Sequence, residues 1–261
     1  GWAVQAATHH SSAWDGFHLP LTAPLLAPSP FLPPPAAPKP WLKVCGLRTP
    51  EQAAAVATLG VDAIGVIGVP GSPRWLEPSE RPALFTAVEA ARPGCLGVLV
   101  VADPADGEFS WLGSGGGHRV VQLHGGESPE RCRHLREALG PDIGLWKALR
   151  IRSRDELEQA AAYGPVVDAL LLDAWVPDQL GGTGHRIPIE WLTDFRPPLP
   201  WWLAGGIRAD RVAPAMAALA AAPPAGLDAS SGVERAPGDK DLDRVAALVA
   251  AVAAVRQDRP S

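Results

Sequence analysis

From Trp41 to about residue 256 the chain repeats one unit: a short apolar run, a turn, and a stretch of helix-favouring residues. Such a repeat narrows the fold sharply, because a strand that is apolar on both faces must be covered on both. Trp41-Leu-Lys-Val-Cys45 is the first run. Thr49-Pro50-Glu51 then gives a helix-start signal, and an alanine-rich stretch reaches Leu59 before Gly60 stops it. Further runs at 62–67, 96–101, 119–124, 143–149, 166–172, 201–204 and 226–229 supply seven more strands. Helix starts are expected at Pro78-Ser79-Glu80 and Ser128-Pro129-Glu130, a weak helix after Asp103-Pro104, another from Ser153 to Tyr163, and a last one from about Asp241 to Val255. Eight strands, each followed by a helical segment over roughly 215 residues, predict an α/β fold of the closed (β/α)8 TIM-barrel type. An open doubly wound sheet often carries a GxGxxG turn, which is absent here. Gly113–Gly117 lacks a following GK[ST] and reads as a flexible turn.

Residues 1–40 differ from the rest. Prolines at 20, 24, 28, 30, 33–35, 38 and 40 exclude a regular helix or central strand, so an extension that is disordered or loosely ordered is expected before a catalytic domain spanning 41–261. His9, His10 and His18 lie in this extension and read as uninvolved rather than as a metal site. A formal charge of -5, with Lys and Arg scattered, offers no footprint for nucleic acid or an acidic membrane surface. No apolar run approaches the roughly 18 residues of a membrane span. Cys45, Cys95 and Cys132 form no CxxC pair and are odd in number, which fits a reducing cytoplasm and indicates neither a disulfide framework nor zinc.

In a barrel of this kind, chemistry belongs at the C-terminal ends of the strands and in the loops after them. Cys45, His124 and Asp173 end strands one, four and six; Arg74 lies in the second loop and Gly182-Thr183-Gly184 in the sixth. Gly205-Gly206 and Ser230-Ser231-Gly232 end strands seven and eight, where barrels frequently present backbone N–H groups to a phosphate. Side chains alternate along a strand, so Lys43 shares a face with Cys45, and Asp228 with Ser230. Closure makes strands one and eight neighbours, and a Lys43–Asp228 pair inside the barrel is expected, since a buried charge needs a partner. The Lys43 ammonium is further expected to favour the Cys45 thiolate. His124 suits either a pocket wall or a hydrogen-bonded structural role, and Lys147, at the end of strand five, either approaches the mouth or points outward.

Lys-Val-Cys-Gly-Leu, Gly-Ser-Pro-Arg, Val-Gln-Leu-His-Gly, Leu-Leu-Leu-Asp, Gly-Gly-Thr-Gly, Leu-Ala-Gly-Gly-Ile and Asp-Ala-Ser-Ser-Gly-Val-Glu, in that order, resemble phosphoribosylanthranilate isomerase of tryptophan biosynthesis. The resemblance implies an Amadori rearrangement of a small phosphorylated substrate without metal or cofactor. It makes Asp173 the general acid, Cys45 the general base, and Arg74 the residue that holds the anthranilate carboxylate. His124 and Lys43 become substrate-side residues, and Gly182, Gly205, Gly206, Ser230, Ser231 and Gly232 a phosphate cradle. It also allows fusion to, or association with, other enzymes of the pathway. Two features depart from the family: Val66-Ile67-Gly68 stands where an aromatic is usual, and the loop 179–185 lacks the usual Pro-Tyr. The competing readings are a related sugar isomerase of histidine biosynthesis, which would carry Asp in place of Cys45, a bifunctional enzyme, and a non-catalytic barrel.

Overall fold

Alternation decides the architecture. The eight strands are β1 (Trp41–Cys45), β2 (Ala63–Ile67), β3 (Leu96–Val101), β4 (Val120–Leu123), β5 (Gly144–Ile151), β6 (Ala169–Ala174), β7 (Trp201–Leu203) and β8 (Gly226–Ala229). All are parallel, and they close in chain order, β8 pairing back onto β1. The structure, a computed structural model, describes residues 29–33, 40–174 and 185–257. One set of alternating residues, including Leu42, Val44, Ile64, Leu99, Val121, Leu145, Leu170 and Leu227, packs outward beneath the helices. The other, including Cys45, Ala63, Val98, Val100, Val120, Trp146, Leu171 and Trp202, fills the barrel. Both faces are therefore dry, as the unbroken apolar runs require.

The helices are α1 (Pro50–Thr58), α2 (Arg81–Ala91), α3 (Phe109–Leu112), α4 (Pro129–Leu139), α5 (Ala160–Tyr163), α6 (Ala209–Ala218) and α7 (Leu242–Gln257). Thr49 and Ser128 cap α1 and α4 by accepting from Gln52 and Arg131 backbone N–H groups at 3.2 and 3.1 Å. At α2 the expected cap is displaced: Glu80 occupies the N-cap without a side-chain bond, and a proline sits in the first turn instead. The helix expected over 153–163 is a 3-10 segment, Arg154–Gln159, with a single α turn after it. Between β6 and β7 the described residues hold only the 3-10 turn Ile189–Trp191. A feature with no counterpart in the expected pattern is a hairpin of β9 (Glu234–Ala236) and β10 (Asp239–Lys240) between β8 and α7.

Most of the expected N-terminal extension, including its three histidines, lies outside the described residues. The described piece meets the barrel at the end away from the strand C-termini. Phe31 is buried against the interior cluster, its ring lies 5.7 Å from the Arg119 guanidinium, and a Cβ at Gly144 would stand 2.8 Å from it. Above it, Trp146 and Trp202 stack with centroids 4.7 Å apart, and a Cβ at Gly226 would collide with the Trp202 ring. Aromatic rings and a missing side chain thus fill the barrel from below, leaving polar groups to its upper end.

Candidate active site

One pocket at the strand C-termini is lined by Cys45, Ile67, Arg74, Gln122, His124, Asp173, Gly205, Gly206, Asp228, Ser230 and Ser231, among others. Inward alternation on β1, β4, β6 and β8 puts Cys45, Gln122, Asp173 and Asp228 there. His124 continues the same face one residue beyond β4. Of the residues picked out from sequence, Gly182 lies outside the described residues. Gly232 is not on the pocket wall: a Cβ there would stand 2.2 Å from the Ile207 carbonyl, so its small size lets loops seven and eight touch. Lys43 lies beneath the pocket, fully buried, with Nζ donating to both Asp228 oxygens at 3.1 and 3.0 Å. Asp228 carries that pair up to the wall.

Cys45 ends β1, and its carbonyl accepts from Ser230 Oγ at 3.0 Å and Lys240 Nζ at 2.5 Å. Its thiol lies where Gly65 on β2 has no side chain; a Cβ there would be 2.5 Å from Sγ. Burial pushes the thiol above its ordinary range; the Lys43 ammonium pulls it down, Asp228 pushes it up again, and Lys240 pulls it down more weakly. Lys43 thus favours the thiolate as expected, but desolvation of a buried thiolate outweighs the cation beside it in the net result. For Lys43, burial favours the neutral amine, but Asp228 and Cys45 override it and hold the ammonium above its usual range.

Asp173 is buried, and its Oδ1 accepts from the Ala174 N–H at 2.9 Å. His124 Nε2 stands 3.5 Å from Asp173 Oδ2, and His124 Nδ1 meets the Gln122 side-chain nitrogen at 3.1 Å. Arg74 reaches the wall with two nitrogens already on Glu234: Nε to Oε1 at 2.9 Å and Nη2 to Oε2 at 2.7 Å. Glu234 also accepts from Lys240 Nζ at 2.6 Å and from the Gly238 N–H at 3.0 Å. Burial pushes its carboxyl up, but Arg74 and Lys240 together hold it below the ordinary glutamate range. Neither Glu234 nor Lys240 was singled out by sequence for a role; both sit in the hairpin after β8, and only its folding back over Cys45 reveals them.

Lys147 points outward, away from the mouth. It is buried between barrel and helices on Glu127 Oε2 at 2.7 Å and the Gly125 carbonyl at 2.8 Å, as the alternation Trp146 in, Lys147 out, Ala148 in requires. Gly205 and Gly206 adopt φ of 89° and 63°, backbone that favours glycine, beside Ser230 and Ser231. Among the described residues no three His, Cys, Asp or Glu side chains gather as a metal site, and no helix is long and apolar enough to cross a membrane.

Fold and site together define a (β/α)8 barrel with a thiol, a carboxyl and a histidine at its C-terminal mouth, beside glycine-rich turns after β7 and β8. Residues 42–251 match the family described as PRAI: N-(5'phosphoribosyl)anthranilate (PRA) isomerase. The N-(5'-phosphoribosyl)anthranilate isomerase of Nostoc punctiforme is 46% identical over 208 residues, covering 79% of this chain and 95% of that protein. The crystal structure of phosphoribosyl anthranilate isomerase from Thermus thermophilus superposes with a TM-score of 0.66 at 32% identity, over 82% of this chain and 98% of that one. A phosphoribosyl anthranilate isomerase complexed with reduced 1-(o-carboxyphenylamino)-1-deoxyribulose 5-phosphate gives 0.64 at 25% identity, over 82% and 99%. The chain belongs to the phosphoribosylanthranilate isomerase family.

Proposed function

We propose that this chain isomerises N-(5'-phosphoribosyl)anthranilate to 1-(2-carboxyphenylamino)-1-deoxy-D-ribulose 5-phosphate in tryptophan biosynthesis, with Asp173 as general acid and Cys45 as general base. The observation that carries the reading is the placing of both groups on one pocket wall, in a chain that matches the family from residue 42 to 251. Asp173 protonates the ribose ring oxygen and the ring opens to an imine. Cys45 removes the C2′ proton, and the enolamine so formed tautomerises to the ketone. The roles need a proton on Asp173 and none on Cys45, the reverse of the ordinary affinities of carboxyl and thiol. Lys43 and Lys240 are the cations that support the ionised thiol against its burial.

Arg74 binds the anthranilate carboxylate, with Glu234 holding its guanidinium plane in place. His124 lies beside the ring oxygen and Asp173. Backbone N–H groups of Gly205, Gly206, Ser230 and Ser231, which border the pocket, take the phosphate. Three free cysteines suit a cytoplasmic setting, and the stretch before Pro40 is the region through which association with other enzymes of the pathway would run.

The test follows anthranilate fluorescence on adding the protein to N-(5'-phosphoribosyl)anthranilate. Turnover by the parent protein is expected, with losses of a hundredfold or more (roughly, as for removal of an acid or base) in Cys45→Ser and Asp173→Asn. Folded protein without turnover would overturn the activity, and turnover that survives both substitutions would overturn the roles.

A further inference from the structure

The pocket holds two buried polar atoms with no hydrogen-bond partner, and they belong to neighbouring residues of one strand face. Gln122 is buried to 1% exposure, between Val100 on β3 and Trp146 on β5 in register. An amide in such surroundings is costly unless each end is bonded. One end is: the side-chain nitrogen lies 3.1 Å from His124 Nδ1. The other, Oε1, has no partner among the described residues, and neither has His124 Nε2, which faces Asp173 at 3.5 Å. Native proteins leave few buried polar atoms unpaired, and these two border the same pocket as the proposed acid.

We propose that Gln122 is a substrate-binding and positioning residue: its amide N–H fixes His124 as the tautomer protonated on Nε2, and its Oε1 accepts a hydrogen bond from a sugar hydroxyl. The chemistry selects that group. An amide oxygen needs a donor, which excludes the phosphate oxygens and an ionised carboxylate; the substrate's donors are its sugar O–H groups and a single anthranilate N–H, and the hydroxyls are the more numerous and the stronger donors. An N–H donated into Nδ1 leaves the histidine proton on Nε2, aimed at Asp173 and at the ring oxygen the acid serves. The hydroxyl contact rests on the proposed isomerase activity; the tautomer does not.

Two measurements separate these parts. In the ligand-free protein, ¹⁵N NMR of His124 is expected to show the Nε2–H tautomer. Gln122→Glu, whose carboxylate accepts from Nδ1–H, is expected to reverse it, and Gln122→Met to leave a mixture. A Nδ1–H tautomer in the parent protein, or no change in either variant, overturns the positioning role. For the contact, calorimetry uses reduced 1-(o-carboxyphenylamino)-1-deoxyribulose 5-phosphate, with inorganic phosphate as control. Gln122→Met is expected to weaken the sugar phosphate about tenfold or more, Gln122→Glu less, with phosphate alone unchanged. Equal affinity in Gln122→Met and parent overturns the contact and reduces Oε1 to a water site. No binding of the sugar phosphate by the parent protein overturns the activity on which the contact rests, while the tautomer result stands apart.

Discussion

Gly65 on β2 leaves the space that the Cys45 thiol occupies: a Cβ built on Gly65 would stand 2.5 Å from Sγ and 3.0 Å from the Cys45 Cα. The Cys45 Cβ would stand 3.0 Å away as well, so turning the thiol alone does not relieve the clash. Gly65→Ala is expected to cost about 1–3 kcal/mol of stability through overpacking. It should also lower kcat by around a hundredfold, the scale expected when a reacting group is displaced by about 1 Å. Steady-state kinetics beside denaturant unfolding check both, and unchanged kcat would show that the thiol's position is not used.

The Cys45 thiol lies above its ordinary range because burial outweighs Lys43. A base must be ionised to act, so kcat/KM is expected to rise with pH through and beyond the ordinary thiol range near 8.5. Lys43→Met removes a cation that favours the thiolate and leaves Asp228 to oppose it, which moves the limb to higher pH. The same change strands Asp228 and is expected to cost about 3–5 kcal/mol, part of which the double variant Lys43→Met/Asp228→Asn recovers. A pH–rate profile that does not move in folded Lys43→Met separates the thiol from Lys43.

Glu234 joins Arg74 to Lys240, and through Lys240 to the Cys45 carbonyl. Glu234→Gln is expected to raise KM about tenfold with a smaller change in kcat, because Arg74 loses its orientation while acid and base remain. The folded carboxyl sits below the ordinary glutamate range. Its stabilisation is therefore full above that range and is lost as pH falls through the folded value. Unfolding free energies measured across acid pH should fall less steeply in Glu234→Gln than in the parent.

Phe31 closes the end of the barrel opposite the pocket. Phe31→Ala is expected to cost at least the transfer term of the lost ring, about 1.5–3 kcal/mol. Truncation before Pro40 should match it. Both variants are expected to keep kcat and KM, since the chemistry lies at the other end; a changed kcat would mean that the extension acts on the site.

The strands were legible because apolar runs and turn signals act over a few residues. β1, β3 and β8 fall where those runs place them, while β6 extends through Asp173 to Ala174 and thereby orients the proposed acid inward. Alternation and closure also sufficed for Lys43 and Asp228, since strands one and eight of a closed barrel must pair. Among the segments that depart from expectation is 153–163, where helical propensity does not decide between an α turn and a 3-10 turn without the packing beneath it.

Sequence by itself determined the eight-strand barrel, the face shared by Lys43 and Cys45, and the gathering of Cys45, His124 and Asp173 at one end, because each follows from backbone periodicity. Tertiary structure alone decided that Gly65 gives the thiol its space, that Glu234 reaches across 160 residues to Arg74, and that Gln122 keeps an unpaired oxygen toward the pocket. It also decided the thiol's net acidity. Burial and Coulomb effects sum over groups that are distant along the chain and adjacent only once it has folded, so no local pattern encodes which of them prevails.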